Sequence, residues 1–207
     1  NVKMEAPPNW RPHSFFLLGA NMSIAITFIL GPAFSGKSEF VMNLLNPDKD
    51  IDFIGTADSE LVPLKSRHSK LQTMRSEISS GIWSTTETTD LTGAIRNQSP
   101  NTTLVIDCTY NWLSNLVVAK SSQGTLSAEQ ILQIVEHETS LLYKQLSSKA
   151  AGEVFIISTE TGSCSAPSNP YERLLREVNG RLNQKIAALS NRVIKIDAGI
   201  AQTIKDN

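Results

Sequence analysis

The chain has 207 residues, of which 40% are hydrophobic and 19% charged, a composition that excludes a disordered protein. This length accommodates one full domain and is short for two. The formal net charge is −1 and no long run of Lys or Arg occurs, so neither nucleic acid nor an anionic membrane is expected as a partner.

Residues 1–21 are predicted to be an N-terminal extension outside the core, and residues 22–207 are predicted to form one domain. The extension contains three prolines. On hydropathy alone, the apolar stretch 15–30 resembles a signal sequence. Its second half, however, leads into the motif described next, so cleavage or membrane insertion there would destroy that motif.

A phosphate-binding motif is the strongest signal in the chain. Residues 24–30 form an apolar run typical of a buried parallel strand, and residues 31–38 follow with the sequence GPAFSGKS. Two glycines separated by four residues, then Lys and Ser, match the phosphate-loop pattern when a helix follows, as predicted over 39–45. Backbone N–H groups of residues 33–37 would converge on a phosphate at the helix N-terminus, where the helix dipole favours an anion.

Each part of this loop has an expected role in binding a nucleoside triphosphate. Gly31 and Gly36 allow backbone angles and a close approach that a Cβ would hinder. Lys37 would reach the β- and γ-phosphate oxygens, and Ser38 would bind Mg²⁺. The alternative is a glycine-rich turn that binds nothing, and the complete pattern in its strand–helix setting favours the nucleotide site. The predicted nucleotide-binding residues are Gly31, Pro32, Ala33, Phe34, Ser35, Gly36, Lys37 and Ser38.

The segments after this motif carry weaker signals. Residues 50–56 predict a second strand. Residues 59–79 are polar with apolar residues at helical spacing, which predicts a helix over the surface. Residues 82–85 and 91–97 predict a short strand and a short helix. His68 lies on the polar helix, and from the residues alone it is expected to be a surface side chain.

A second core strand, predicted over residues 102–107, ends in an acid. Asp107 therefore lies at the carboxyl end of a parallel strand, which is where ligands collect in α/β sheets. A P-loop enzyme carries there the carboxylate that orders Mg²⁺. The alternative role for Asp107 is that of a turn residue at the strand end. Residues 112–120 predict a helix with one apolar face.

The second half of the chain continues the alternation of strands and helices. Residues 127–149 predict a long amphipathic helix, with Ser127 and Gln130 as its capping box. The remaining elements are a strand at 153–159, a helix at 171–190 and a last strand at 192–197. This pattern predicts an α/β fold of the P-loop NTPase type, with a doubly wound, mainly parallel sheet in a single domain.

Cysteine and histidine usage gives no zinc-ligand spacing. Cys108 and Cys164 lie in unrelated segments, and the three histidines are scattered. In a P-loop protein two such cysteines are expected to be reduced thiols of a cytoplasmic chain. His137 lies among charged neighbours and is expected to be solvated rather than catalytic.

Several motifs together resemble one enzyme family, over about residues 24–205. In segment 167–184 the family carries a Pro, an Arg, Phe-Arg-Asp and then Gly-Arg-Leu-Asn-Gln. The residues in register there are Pro167, Arg173, Arg176, Gly180, Arg181, Asn183 and Gln184. Further matches are Asp107, Cys108, Trp112, Asn115, Glu160, Gly162, Ala198, Gly199 and Ile200. The chain thus resembles the bifunctional adenosylcobinamide kinase / adenosylcobinamide-phosphate guanylyltransferases of cobalamin (vitamin B12) biosynthesis.

The resemblance gives His68 a chemical role. In the family a histidine accepts GMP from GTP, and it lies eight residues after the Glu of a Glu-Met pair. Here Glu60-Leu61 precedes His68 by that distance. A neutral imidazole can attack an α-phosphorus, and the adduct is labile enough to pass the nucleotide on. The resemblance therefore implies that His68 is the nucleophile.

Two reactions on one chain are implied by the resemblance. The first phosphorylates the aminopropanol hydroxyl of adenosylcobinamide. The second transfers GMP from GTP to adenosylcobinamide phosphate and releases pyrophosphate. Lys37 would balance the charge on the polyphosphate, while Ser38 and Asp107 would hold Mg²⁺. Whether GTP or ATP donates the phosphoryl group is left open.

Further site residues and an assembly state are expected on the same grounds. Glu160 is a candidate metal ligand or general base. Arg173, Arg176 and Arg181 are candidates for substrate binding; the first two share a helix face, the third is displaced, and Arg176 could equally form a surface ion pair. The resemblance also implies a small homo-oligomer such as a trimer.

The chain departs from the family pattern around the expected pockets. Phe34 stands where the family has an Arg within the phosphate loop, and Thr159 stands where it has an Asn. Leu64-Lys65 and Cys164 are further departures. Three alternatives follow: a small-molecule P-loop kinase without guanylyl transfer, a non-catalytic nucleotide-binding homologue, and an accessory NTPase.

Overall fold

The computed structural model describes residues 24–57, 73, 81–99, 102–121, 126–148, 152–163, 165 and 167–206. The predicted extension over residues 1–21 lies outside this part of the chain. So does nearly all of the helix expected over residues 59–79, including His68. Cys164 is also outside it. The predictions made for these segments therefore stay predictions.

Strands and helices alternate through most of the described chain, as the sequence predicts. The first half contains β1 (Ile24–Gly31), α1 (Lys37–Leu44), β2 (Ile51–Gly55), β3 (Trp83–Glu87), α2 (Leu91–Arg96) and β4 (Thr103–Asp107). The second half contains α3 (Thr109–Ser121), α4 (Ala128–Ser148), β5 (Gly152–Thr159), α5 (Pro170–Leu189), β6 (Arg192–Asp197) and β7 (Ile200–Asp206).

Helix starts follow local sequence signals. At the start of α4, the Ser127 N–H donates to Gln130 Oε1 over 2.8 Å, and the Gln130 N–H donates to Ser127 Oγ over 3.3 Å, which is the predicted capping box. At the start of α5, the Asn169 side chain accepts from the Tyr171 N–H, and Pro170 occupies the first helical position.

Among the described residues, no helix is both long and apolar enough to cross a membrane.

The described strands form one sheet in the order β3-β2-β4-β5-β1-β6-β7. All neighbouring pairs are parallel except β6 with β7. Strand β1 lies between β5 and β6, so the loop that follows it emerges between two neighbouring strand ends. The predicted mainly parallel, doubly wound α/β fold is confirmed.

Two apolar clusters cover the two faces of the sheet. On one face, Phe28 and Ile106 pack in the cluster that also includes side chains of α2, α3, α4 and α5. On the other face, Ile29 and Val105 pack with Val41 of α1. Successive residues of a strand point to opposite faces, so β1 and β4 supply both clusters, and this burial on both sides explains their continuous apolar sequences.

The expectation that residues 192–197 form the last strand is corrected by β7. Ala198 and Gly199 have φ values of 49° and 80°, a tight turn after which the chain runs back antiparallel to β6. Strand β7 is an edge strand that is exposed along nearly its whole length, so it lacks the apolar pattern that marks a strand in a sequence. Lys205 Nζ donates to the carbonyls of Ala187, Ala188 and Ser190 at the end of α5.

Gly31→Ala is expected to lower the free energy of unfolding by about 1–3 kcal/mol through overpacking. A Cβ built at position 31 would lie 2.1 Å from the carbonyl oxygen of Ile196 in β6. The control is Gly180→Ala in α5, where a Cβ meets nothing within 4 Å. That change should raise the free energy of unfolding by up to about 1 kcal/mol, because alanine favours the helix. Urea unfolding of both variants measures the difference, and equal effects would contradict the packing argument.

Candidate functional site

The predicted phosphate loop joins β1 to α1 at the carboxyl end of the sheet. Gly36 precedes the helix with φ 95°, and no side chain caps the first turn of α1. Phe34 also has a positive φ, of 61°. The Ser35 N–H donates to the Pro32 carbonyl over 3.4 Å, so the loop folds back on itself. The uncapped helix start leaves backbone N–H groups available to an anion.

Lys37 is buried within this loop. Its Nζ donates to the carbonyl oxygens of Gly31 over 2.9 Å and Pro32 over 2.5 Å. Two hydrogen bonds from one ammonium group to the first residues of the loop fix the position of the charge. A positive charge held beside an uncapped helix N-terminus attracts a polyphosphate.

Ser35 carries a polar atom that suits a ligand. Its Oγ is buried and has no hydrogen-bond partner among the described residues. Leaving a buried hydroxyl unpaired costs roughly 1–3 kcal/mol. A phosphate oxygen seated in the loop would supply an acceptor for this hydroxyl, so the loop fits an anionic group in its chemistry as well as in its shape.

The predicted magnesium ligands lie side by side. Ser38 Oγ donates to Asp107 Oδ2 over 2.7 Å, which joins the start of α1 to the end of β4. No cluster of three or more His, Cys, Asp or Glu side chains suited to a metal ion occurs in the described part of the chain. Mg²⁺ in phosphate-transfer sites takes only one or two protein ligands and fills its shell with phosphate and water oxygens. The pair of oxygen ligands therefore fits Mg²⁺.

Thr56, whose sequence surroundings give no sign of a role at the site, holds the segment that carries Asp107. Its N–H donates to the Asp107 carbonyl over 3.1 Å, and its hydroxyl donates to the Cys108 carbonyl over 2.6 Å. The Cys108 N–H donates to the same hydroxyl over 3.0 Å. Asn115, a residue matched through the family resemblance, donates from Nδ2 to the Thr56 carbonyl over 2.9 Å. These bonds fix the backbone that positions Asp107 beside Ser38.

Glu160 follows the end of β5 and is tied to the loop by its backbone, since its N–H donates to the Gly31 carbonyl over 3.0 Å. Its carboxylate accepts from Ser163 Oγ over 2.6 Å and lies 3.2 Å from Lys195 Nζ. The hydrogen bond from Ser163 lowers the pKa of this carboxyl most, burial opposes it by a smaller amount, and the hydrogen bond and charge of Lys195 lower the pKa further. The carboxylate is therefore favoured over the neutral acid. A carboxyl group with a lowered pKa is a weak general base, so it is better suited to ordering neighbouring positive charges than to accepting a proton.

A cleft of about 510 Å³ lies beside Glu160, and its lining includes Arg173, Arg176 and Arg181. Helical spacing predicts that Arg181 is displaced from the other two, whereas the structure brings all three to one cleft. Arg181 forms ion pairs with Glu136 and Glu177, at 3.0 Å and 2.6 Å. Their role in substrate binding stays a prediction.

Two buried polar atoms on α5 at this cleft have no hydrogen-bond partner among the described residues: Arg176 Nη1 and Asn179 Oδ1. Arg176 is anchored through Nη2, which donates to the Gly162 carbonyl. Asn179 is fully buried, and its Nδ2 donates to the Thr159 carbonyl over 2.9 Å. Asn179 had no signal in the sequence, because only the packing of α5 against β5 brings it to the cleft.

Cys108 is a free, buried thiol that follows Asp107. Burial raises its pKa to about 12, and the negative charge of Asp107 adds to this effect. The thiol is therefore protonated at neutral pH and is a poor nucleophile. Its packing, rather than thiol chemistry, accounts for its place beside the site.

Comparisons with known proteins agree with the motifs. A family model described as CobU, cobinamide kinase / cobinamide phosphate guanyltransferase, matches residues 27–204. The bifunctional adenosylcobalamin biosynthesis protein CobU of Salmonella typhimurium strain LT2 is 24% identical over 194 residues, which cover 86% of this chain and 98% of that protein. These matches confirm the family resemblance.

A solved structure with a similar fold is a prototypical ATPase from the type III secretion system of pathogenic bacteria. It matches with a TM-score of 0.53 at 13% identity, over 86% of this chain. This chain spans only 57% of that ATPase. At this identity the likeness shows the fold alone.

In a Cys164→Ser variant, Cys108 is the sole thiol. At pH 8, we expect it to react with iodoacetamide at least about a hundredfold more slowly in the native protein than in the denatured protein. With a pKa of about 12, only about one thiol in ten thousand is ionised at that pH, against about a quarter for an ordinary thiol. Mass spectrometry of timed samples gives both rates. Fast labelling of the native protein would contradict the raised pKa.

Proposed function

This chain belongs to the cobinamide kinase / cobinamide phosphate guanyltransferase family, and on that premise we propose that it carries out both family reactions in cobalamin biosynthesis. It phosphorylates adenosylcobinamide, and it transfers GMP from GTP to adenosylcobinamide phosphate through a guanylylated histidine. The main support from the structure is the junction of the phosphate loop with β4. There Lys37 is held inside the loop and Ser38 lies 2.7 Å from Asp107.

In the kinase step, the aminopropanol hydroxyl oxygen attacks the γ-phosphorus of GTP or ATP. The bond from the γ-phosphorus to the β,γ-bridging oxygen breaks, and the nucleoside diphosphate leaves. The loop binds the polyphosphate, and Lys37 offsets the negative charge that builds on the leaving oxygens. Glu160 is the candidate to accept the hydroxyl proton or to order the metal, and its lowered pKa favours the second role.

In the transfer step, an imidazole nitrogen of His68 attacks the α-phosphorus of GTP and pyrophosphate leaves. A phosphate oxygen of adenosylcobinamide phosphate then attacks the same phosphorus and the P–N bond breaks. The products are adenosylcobinamide-GDP and free histidine. His68 lies outside the described residues, so its role rests on the family resemblance alone.

Ser38 and Asp107 would hold Mg²⁺, directly or through water. Bound there, the ion would neutralise charge on the phosphate oxygens. Thr56 keeps Asp107 in place for this task through its three hydrogen bonds to the segment. Ser38 contributes its hydroxyl oxygen from the first turn of α1.

The arginine-lined cleft is our candidate for the acceptor phosphate. It lies next to Glu160, at the end of the strand beside β1, and therefore adjoins the phosphate loop. Arg176 and Asn179 each keep a buried polar atom there without a partner among the described residues. The guanidinium group of Arg176 suits a phosphate ligand. A homo-oligomer such as a trimer and a cytoplasmic location belong to the same proposal and rest on the family.

Lys37→Ala is expected to reduce the rates of both reactions by about two orders of magnitude or more, because a preorganised charge facing developing negative charge contributes a few kcal/mol. Steady-state assays with cobinamide and with cobinamide phosphate give the two rates. The control is Lys49→Ala, which removes an exposed lysine paired with Glu153 at 3.2 Å and should change neither rate more than about twofold. Retained activity in Lys37→Ala would show that this loop is not the site.

Incubation with α-³²P-GTP tests the transfer reaction. We expect a covalent label that is acid-labile and alkali-stable, that is lost in His68→Ala and kept in His137→Ala, and that is discharged when cobinamide phosphate is added. Phosphorylation of cobinamide without any label would establish the kinase-only alternative. Nucleotide binding with neither reaction would leave a non-catalytic homologue.

A further inference from the structure

Two large apolar side chains are exposed close to the phosphate loop. Phe34, within the loop, is 74% exposed, and Ile200, at the start of β7, is 73% exposed. Single exposed apolar residues are common on protein surfaces, but two of them beside a ligand site need an explanation.

The two segments that carry these side chains are joined. The Gly199 N–H donates to the Ser35 carbonyl over 3.0 Å, so the tip of the β6–β7 hairpin lies on the phosphate loop. A Cβ built on Gly36 would lie 3.6 Å from the Gly199 Cα, which shows how closely the two backbones approach. Phe34 and Ile200 flank this contact in the sequence, one residue before Ser35 and one after Gly199.

The backbone at Phe34 points to a role for its side chain. Its φ of 61° lies in the left-handed region, which carries a steric cost for a non-glycine residue. Glycine at this position would avoid that cost. A bulky aromatic side chain at a strained and exposed position is therefore more readily explained by a bound partner than by stability.

We propose that Phe34 and Ile200 form the nucleobase subsite of the triphosphate site. The inference rests on the proposed nucleotide binding and extends it. With its phosphates in the loop, a nucleoside triphosphate must place its base near the rim of the loop, and a planar base buries its face best against an aromatic ring and a branched aliphatic side chain. The part of the loop that contacts the turn between β6 and β7 offers these two groups, whereas the end of β5 offers Glu160 and the arginines.

This subsite is tolerant of the identity of the base. Every base has a π-face, so stacking on Phe34 does not distinguish guanine from adenine. Neither Phe34 nor Ile200 has a side-chain hydrogen-bond donor or acceptor to read a base edge. The subsite therefore accepts both GTP and ATP, and discrimination between them falls to other residues or to the transfer step.

Calorimetric titration of the full chain with GTP, ATP and inorganic tripolyphosphate, each with Mg²⁺, tests the subsite. Phe34→Ala and Ile200→Ala should each weaken GTP and ATP at least about fivefold, the lower end of base-stacking effects, while tripolyphosphate binding changes less than about twofold. Phe34→Tyr should restore nucleotide binding. The matched control is Ile204→Ala, an exposed residue on the same strand, which should leave all three affinities unchanged.

Each other result has a definite meaning. Equal losses for nucleotides and tripolyphosphate in Phe34→Ala would mean that the side chain supports the loop rather than a base, and would overturn the inference. Unchanged nucleotide affinity in both alanine variants would overturn it too. If the unmodified chain binds none of the three ligands, the proposed nucleotide binding itself fails, which distinguishes that failure from the failure of the subsite.

Discussion

The carbonyl oxygen of Gly31 accepts two hydrogen bonds, one from Lys37 Nζ and one from the Glu160 N–H, and the candidate site depends on that junction. Gly31 lies at the end of β1, with β5 on one side and β6 on the other. One peptide group thus fixes the lysine within its loop and sets the position of the acidic residue on the adjacent strand end. Only glycine fits there, because Ile196 of β6 occupies the space of a Cβ.

The surroundings of the loop differ in chemistry on its two sides. Next to β5 lie Glu160 and a cleft with three arginines, which suit a charged acceptor. Where the turn between β6 and β7 contacts the loop, Phe34 and Ile200 carry exposed apolar side chains, which suit a base. A transferase needs both kinds of surface, because its two substrates must meet at the phosphates while their other ends stay apart. The parallel sheet provides this arrangement by bringing successive strand ends to one edge.

Features that depend on a short stretch of sequence, such as the phosphate loop and a helix cap, could be predicted from the sequence. The glycine spacing before Lys37 gave the loop, the capping pair at Ser127 gave a helix start, and the acid at the end of an apolar run gave Asp107, now found beside Ser38. Residues whose role depends on packing could not be found this way. Thr56 and Asn179 have ordinary sequence surroundings, and only the contacts of their strand and helix with distant segments bring them to the site.

The hairpin that ends in β7 supports the candidate site as well as forming the edge of the sheet. The turn that leads into it contacts the phosphate loop through the Gly199 N–H, and near the end of the strand Lys205 donates to carbonyls at the end of α5, the helix that carries the arginines. Removing the chain from Gly199 onward would thus remove one supporting contact from each half of the candidate site at once.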